Sequence, residues 1–297
     1  MLKPVTEANL SPAFCLSKGF VVEELHETNG ESVFNRGKVR DIYKMDERHL
    51  IIITTDRTSA FGQVFPNPIP GKGVYLNRLS NFWFDFLKIK DHRVSMSEVP
   101  EKELDDFLGM EPEVQDRMMV VRKAEPFPVR IVLRSYLVGS TWEEYEVGRC
   151  EQLLPEGLKK GDLIPDGPIL IPVKKGVRIS VEAAAREVGA AWELIVDMAL
   201  ESFNRASKHV FLKGLLLLDA EFEFGMVDGE VTLINEVLSP DNSRYCGQAT
   251  NTSSDRHIDD WLIETGWQDG DELPEIPDDV VSELESKYKR LVVALTT

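Results

Sequence analysis

Three features of the sequence predict a mixed α+β chain with a strand-rich first third, at a length that leaves two lobes open. The first third carries short β-branched and aromatic runs joined by tight turns, a long amphipathic helix lies past the midpoint, and a hairpin signal follows that helix directly. The chain has no Gly/Ser linker and no internal repeat, so the lobes are drawn at residues 1–122 and 123–297 from the pattern of elements.

In chain order, strands are expected at Phe20 to Leu25, Gly37 to Lys44 and His49 to Thr55, the last two joined by a turn at Met45 to Arg48. Leu79, Phe82, Trp83, Phe86 and Leu87 then recur at helical spacing, which predicts a helix over Arg78 to Lys88 packed on the sheet. Beyond a polar stretch at Glu98 to Asp116, strands return at Met118 to Lys123 and Val129 to Val138. Residues Glu151 to Arg178 read as loop. Ser180 is placed to cap a helix whose apolar stripe is Val181, Ala184, Val188, Trp192, Ile195, Ala199 and Phe203. Gly214 to Phe224 and Glu230 to Leu238 form strands around Asp228-Gly229, a pair suited to a two-residue hairpin turn. A last helix after Pro277 carries Val281, Leu284, Tyr288, Leu291 and Leu295 on its buried face.

The 297 residues include 34 Lys and Arg against 51 Asp and Glu, a formal charge of −17. That field repels nucleic-acid phosphates, so an anionic ligand has to be held by a local basic pocket. No apolar run reaches membrane-spanning length, and Met1 to Pro12 lacks the basic start and apolar block of a secretion signal, which makes the cytoplasm the expected compartment. Cys15, Cys150 and Cys246 are far apart and lack metal-site spacing. There is no P-loop, no dinucleotide-binding glycine pattern, no His-Glu-x-x-His and no Gly-x-Ser-x-Gly.

Four charge clusters remain. Gly37, Lys38 and Arg40 combine a glycine with two cations on one strand face, either a polyphosphate seat or a solvated strand edge. Arg130 and Arg134 share the face of an otherwise apolar strand that ends at Gly139-Ser140. They hold either a phosphate or carboxylate ligand or an internal salt bridge. Asp219, Glu221 and Glu223 alternate with Ala220, Phe222 and Phe224, so the acids share one face and the aromatics the other. A two-residue turn sets Glu221 opposite Glu236, and a longer one sets Glu223 opposite Asn235. Such a crowd of oxygens is either a Mg²⁺ site or an exposed acidic face. Ser239-Pro-Asp-Asn-Ser-Arg244 follows as a polar turn ending in a cation.

The segments Gly37-Lys-Val-Arg-Asp-Ile-Tyr43, Thr55-Asp-Arg-Thr-Ser-Ala-Phe61, Arg134-Ser-Tyr-Leu-Val-Gly-Ser140, Glu221-Phe-Glu-Phe-Gly225 and Ser239-Pro-Asp-Asn-Ser-Arg244, in this order, resemble the SAICAR synthetase family. The resemblance runs from Gly37 to the C-terminal helix and takes in Asp260-Trp-Leu262. It implies a two-lobed α+β fold related to ATP-grasp enzymes, with an antiparallel sheet in the N-terminal lobe and a larger α/β lobe after it. It also implies a reaction in which ATP activates the carboxylate of a phosphoribosyl-aminoimidazole for amide formation with aspartate, with ATP and Mg²⁺ as cofactors. By the same resemblance Gly37, Lys38 and Arg40 meet ATP, while Asp56, Ser59, Arg134, Ser140, Ser243 and Arg244 hold the phosphoribosyl nucleotide. Glu223 is a metal ligand, with Asn235 beside it, and Asp219, Glu221, Glu236 and Arg130 belong to the catalytic group. A small-molecule nucleotide is the implied partner, nucleic acid and membrane are not, and a homo-oligomer is left open.

The chain departs from the family pattern at several of these places. Glu221 stands where the family has Lys, Asn235 where it has Asp, Arg130 where it has an acid and Gly62 where it has Asp. Ile171 to Ser180 shortens a loop that carries a His and acids, and Ser253 to Arg256 replaces a Tyr-Asp-Lys-Gln segment. These changes fall on ATP, Mg²⁺ and aspartate contacts and spare the phosphoribosyl ones. A second expectation therefore stands beside the family reaction: non-ligase chemistry on a related nucleotide, as in diazepine-ring formation for coformycin or pentostatin, or a non-catalytic nucleotide-binding homologue. The reciprocal exchange at 130 and 221 further predicts that Arg130 and Glu221 face each other.

Overall fold

The computed structural model of the chain describes residues 33–95, 98–99, 112–148, 154–248 and 258–297. The strand expected at Phe20 to Leu25, Cys15, Cys150 and the segment Ser253 to Arg256 lie outside these residues.

Antiparallel strands β1 (Val33–Arg36), β2 (Arg40–Lys44), β3 (His49–Thr54) and β6 (Met118–Arg122) form a four-stranded sheet in the order β1-β2-β3-β6. A short ribbon of β4 (Ser59–Ala60) and β5 (Gln63–Val64) turns through Phe61 and Gly62, both at positive φ. The strand expected over Gly37 to Lys44 is broken. Gly37 N–H donates to the Arg40 carbonyl at 2.7 Å, and the Arg57 guanidinium donates to the Lys38 and Gly37 carbonyls at 2.9 and 3.0 Å. These bonds hold a tight turn between β1 and β2, so Lys38 sits exposed in the turn, off the strand face that carries Arg40.

Helix α1 (Lys72–Leu87) begins a turn and a half before the expected Arg78, because its first residues are buried against the sheet. A Cβ on Gly73 would come within 2.1 Å of the Thr54 carbonyl oxygen. Asp56 fixes this approach: its carboxylate accepts from Gly71 N–H at 3.1 Å, from Gly73 N–H at 2.8 Å and from the Arg117 guanidinium at 2.9 Å. Both charged side chains are fully buried. Asp56 therefore anchors a helix N-terminus.

The second sheet runs β10 (Val177–Arg178), β9 (Ile169–Lys174), β8 (Arg130–Arg134), β11 (Leu215–Val227) and β12 (Glu230–Ile234) in that order, with β7 (Glu125–Pro126) and β13 (Ser243–Gly247) also paired to β11. Its spine is the 13-residue β11 (Leu215–Val227), flanked by β8 (Arg130–Arg134) and, after a turn, by β12 (Glu230–Ile234). Asp228 and Gly229 both have positive φ and Val227 pairs with Glu230, the two-residue turn read from the sequence. Phe222 and Phe224 are buried on the face opposite the acids, each contributing on the order of 2–3 kcal/mol through apolar burial.

The region expected as loop contains the hairpin of β9 (Ile169–Lys174) and β10 (Val177–Arg178), turning at Lys175-Gly176, again with positive φ at both positions. Pro172 within β9 masked the strand pattern. The strand expected to reach Val138 stops at Arg134. Gly139, at φ 56°, redirects the chain into α2 (Gly139–Glu146). Ser180 caps α3 (Val181–Val188) by accepting from Ala183 N–H at 3.2 Å. The long helix is then interrupted at Gly189, and α4 (Trp192–Leu212) carries the rest of the stripe onto β11. Helices α5 (Ile258–Glu264) and α6 (Asp278–Thr296) complete the core, with α6 packed on α1. Among the described residues no helix is long and apolar enough to cross a membrane.

Replacing Arg117 with Met strands a buried Asp56 carboxylate, and the expected loss of stability is about 3–5 kcal/mol. Urea denaturation of Arg117→Met beside the wild type measures it.

Candidate active site

The acid face of β11 and its two neighbours form the floor of a cleft of about 360 Å³, lined in part by Arg130, Val132, Arg134, Asp219, Glu221 and Arg244. Strand register brings them together: Asp219 is paired with Arg134 of β8 on one side and with Arg244 of β13 on the other, and Glu221 with Val132. With side chains alternating in direction along each strand, Arg130, Val132 and Arg134 share the cleft face with Asp219, Glu221 and Glu223.

At one end of the floor Asp219 lies between two guanidinium groups. Arg134 Nε donates to it at 3.0 Å and Arg244 Nε at 3.0 Å. Burial alone would push the Asp219 carboxyl up, but hydrogen bonds and charge from Arg244 and Arg134 outweigh it and hold the carboxyl below the ordinary value. Arg134 also donates to the Val138 carbonyl at 3.1 Å and to Thr141 Oγ1, which ties it to the start of α2. That helix has no side-chain cap on its N-terminus, Ser140 is exposed in its first turn, and a Cβ on Gly139 would come within 2.8 Å of Arg244 Nη1. Two cations around one anion, beside an uncapped helix start, leave this end positive.

At the other end Arg130 Nη1 donates to Glu221 Oε1 at 2.6 Å and lies 4.0 Å from Glu223 Oε1. The two residues face each other as the reciprocal exchange predicts. Burial raises the Glu221 carboxyl, with Glu223 and Glu236 adding to the rise and Arg130 opposing it.

The hairpin ladder ends at Glu223 opposite Ile234. Asn235 turns away at φ 67°, so Glu236 never comes opposite Glu221, whose N–H donates instead to the Asn242 carbonyl at 2.8 Å. Arg40, crossing from β2, donates to Asn235 Oδ1 and pairs with Glu236, which also accepts from Ser239 Oγ at 2.7 Å. Arg40 thus ties the two sheets together. Ser239 to Asn242 forms the expected turn, but Ser243 and Arg244 belong to β13, and Ser243 Oγ, buried, donates to Asn242 Oδ1 at 3.1 Å. Ser59 lies on β4 opposite Val64 and is not among the residues lining the cleft.

The donors do not fit a protein-held Mg²⁺. Asn235 and Glu236 point their oxygens at the Arg40 guanidinium, and Glu223 lies at salt-bridge range of Arg130. Among the described residues no group of three or more His, Cys, Asp or Glu is arranged to hold a metal.

Sequence reasoning missed the cleft's rear support. Lys72, wholly buried, donates to the Arg57 carbonyl at 3.1 Å and pairs with the cleft residue Asp241, which also accepts from Tyr288 of α6 at 3.2 Å. The available signal was a lysine between two glycines at the head of an apolar helix.

The sequence model of the SAICAR synthetase family matches residues 33–270. The chain belongs to the SAICAR synthetase family. A phosphoribosylaminoimidazole-succinocarboxamide synthase of Syntrophobacter fumaroxidans is 36% identical over 87% of this chain and 91% of its own length. The SAICAR synthase of Saccharomyces cerevisiae, solved in complex with SAICAR, is 32% identical and superposes with a TM-score of 0.80 over 93% of this chain and 98% of its own. A type-2 SAICAR synthetase in complex with ADP, 21% identical with a TM-score of 0.62 over 86% of this chain and 96% of its own, shares the fold. The family is ATP-dependent, and its member here is an enzyme, a ligase of purine biosynthesis.

His92 is buried, and that burial pushes its imidazole down to about 4 against the opposing charge of Asp91. A histidine held neutral while the unfolded chain protonates near its ordinary value contributes stability above about pH 6.5 and loses it as pH falls toward 4. The expected loss over that window is about 3 kcal/mol. His92→Phe should flatten this part of the stability profile, read by denaturant midpoints from pH 7.5 to 4.5.

Proposed function

We propose that this enzyme joins the carboxylate of carboxyaminoimidazole ribonucleotide to the amine of aspartate, with ATP supplying the activation, to give the succinocarboxamide. The observation that carries the reading is the positive end of the cleft. Arg134 and Arg244 are locked around Asp219 beside the uncapped start of α2, a seat for the ribonucleotide's 5′-phosphate. Ser140 and Ser243 flank that seat. The N-terminal lobe, residues 1–122, carries ATP with Gly37 and Lys38 in the β1–β2 turn, and the C-terminal lobe, residues 123–297, carries the nucleotide.

In this arrangement the chain's work is positioning and charge placement. Arg134 and Arg244 fix the phosphate, Val132 gives the sugar and ring an apolar rest, and Asp241, held by Lys72 and Tyr288, closes the rear wall. Arg130 supplies positive charge where the carboxylate is activated, and Glu221 is the group nearest to accept a proton from the incoming amine. ATP, when bound, supplies the phosphoryl group that turns the carboxylate oxygen into a leaving group.

Purified protein incubated with carboxyaminoimidazole ribonucleotide, aspartate and ATP in a magnesium buffer is expected to yield the succinocarboxamide with matching ADP, followed by mass spectrometry. Folded protein that binds the nucleotide and forms no product sinks the ligase reading. Arg244→Gln should reduce kcat/KM for the nucleotide by about tenfold to a hundredfold through loss of a charge-assisted phosphate contact.

A further inference from the structure

A second cavity, of about 500 Å³, lies outside the active-site cleft and shares no lining residue with it. The last turns of α4 supply one wall through Ser207, Lys208, Phe211 and Leu212, which recur at the spacing of three and four residues that sets side chains on one helix face. Tyr136 and Leu163, joined by a β-bridge, supply another, and the start of β11 completes the lining. Leu163, Phe211 and Leu212 each leave more than half of their surface to solvent, so an occupant that covers them gains apolar burial.

Three polar groups interrupt this apolar lining. Ser207 Oγ is buried and has no hydrogen-bond partner among the described residues, a costly arrangement that a ligand oxygen relieves. Lys208 takes part in no ion pair among the described residues. Its neighbours three and four residues away on α4 are Asn204, Arg205, Phe211 and Leu212, so the helix offers it no carboxylate. The carbonyls at the helix end are already bonded: Lys213 N–H donates to those of His209 and Val210 at 3.2 and 3.1 Å, and Gly214 N–H to that of Phe211 at 3.0 Å. Burial, with Cys246 adding to it, raises the Tyr136 phenol above its ordinary value, so it keeps its proton and can donate.

We propose that this cavity is a second ligand site, which takes a small carboxylate with an apolar body. The body covers Leu163, Phe211 and Leu212, and the carboxylate accepts from Lys208 with the Ser207 and Tyr136 hydroxyls beside it. The volume is within the range of roughly 300–1,000 Å³ usual for small-molecule pockets. A single cation suits a monoanion better than a phosphate dianion. The chain's own residues Ala249-Thr-Asn-Thr-Ser-Ser-Asp-Arg-His257, which follow β13, offer one small apolar side chain and so make a poor cover for three large ones. Ser135, in the same lining, directly follows Arg134, and its N–H donates to the Leu218 carbonyl at 2.9 Å, one residue before Asp219. The site thus adjoins the positive end of the cleft through the backbone while remaining separate from it.

The test is titration calorimetry of the full chain with octanoate and octanol, two probes of like apolar body that differ in the carboxylate. The wild type is expected to bind octanoate more tightly than octanol. Lys208→Gln is expected to weaken octanoate about threefold to fivefold, the scale of a solvent-exposed ion pair, and to leave octanol unchanged. Leu212→Glu, at a position exposed enough to accept the change, sets a carboxylate against the site and is expected to weaken both. No octanoate binding by the wild type, or a Lys208→Gln variant that binds octanoate as the wild type does, overturns the proposal, as does equal weakening of the two probes. Sedimentation velocity tests the rival occupant: a dimer that Leu212→Glu dissociates shows that a second copy covers this face, and the ligand site falls with it.

Discussion

Everything in the cleft depends on Asp219 being held between Arg134 and Arg244. The three residues come from three neighbouring strands, and the middle one, β11, is also the spine that pairs with β7 and β12. Burying three charges is costly, and a buried ion triad is weak ground for a stability argument, since well-packed apolar residues of like volume would often do as well. What the triad supplies is geometry: each guanidinium is turned by Asp219 into one orientation, and Arg134 is further fixed by the carbonyl of Val138 at the start of α2. The positive end of the cleft is therefore built before any ligand arrives, and little side-chain freedom remains to be lost on binding.

A second constraint couples the sheets. Arg40 leaves β2 and meets Asn235 and Glu236 where the hairpin ladder ends. Lys72 at the head of α1 reaches Asp241 from the other side, and Tyr288 of α6 reaches the same carboxylate. The cleft walls are thus held by residues from the first sheet, the helix packed on it and the last helix of the chain. Displacing any of these elements would move the Ser239–Asn242 turn and, through it, the start of β13 that carries Arg244.

Short-range patterns account for what could be read from the sequence. The Asp228-Gly229 turn, the acid-aromatic alternation of β11 and the Ser180 cap each sit within a few residues, and their local chemistry allows few alternatives. The pairing of Arg130 with Glu221 could be read because both positions depart from one family pattern in opposite senses. What could not be read is long-range. Arg117 with Asp56, Lys72 with Asp241 and Arg40 with Glu236 are each charge pairs from distant parts of the chain, and no local pattern around any of these cations names its partner. Arg40 shows why: a cation near a glycine turn has the same local signature whether it meets a phosphate or a carboxylate. The β9–β10 hairpin was missed because Pro172 interrupts an apolar run that otherwise reads as a strand.

The charge balance of the cleft shows why position outweighs sum. Its lining holds Arg130, Arg134 and Arg244 against Asp219, Glu221, Asp241 and Asp259, so the acids outnumber the cations in a protein that is already strongly acidic. Summed charge would repel a phosphorylated ligand. Three of these four acids are taken up locally: Asp219 by two arginines, Asp241 by Lys72 from behind the wall, and Glu221 by Arg130. A phosphate entering beside α2 meets a stretch of floor where two guanidinium groups flank one carboxylate. At these distances, in a partly desolvated cleft, near charges dominate over the screened remainder. The overall negative field then aids selectivity. It opposes anions in general and leaves that end as the place where one can be seated, which fixes the direction in which a nucleotide lies along the floor.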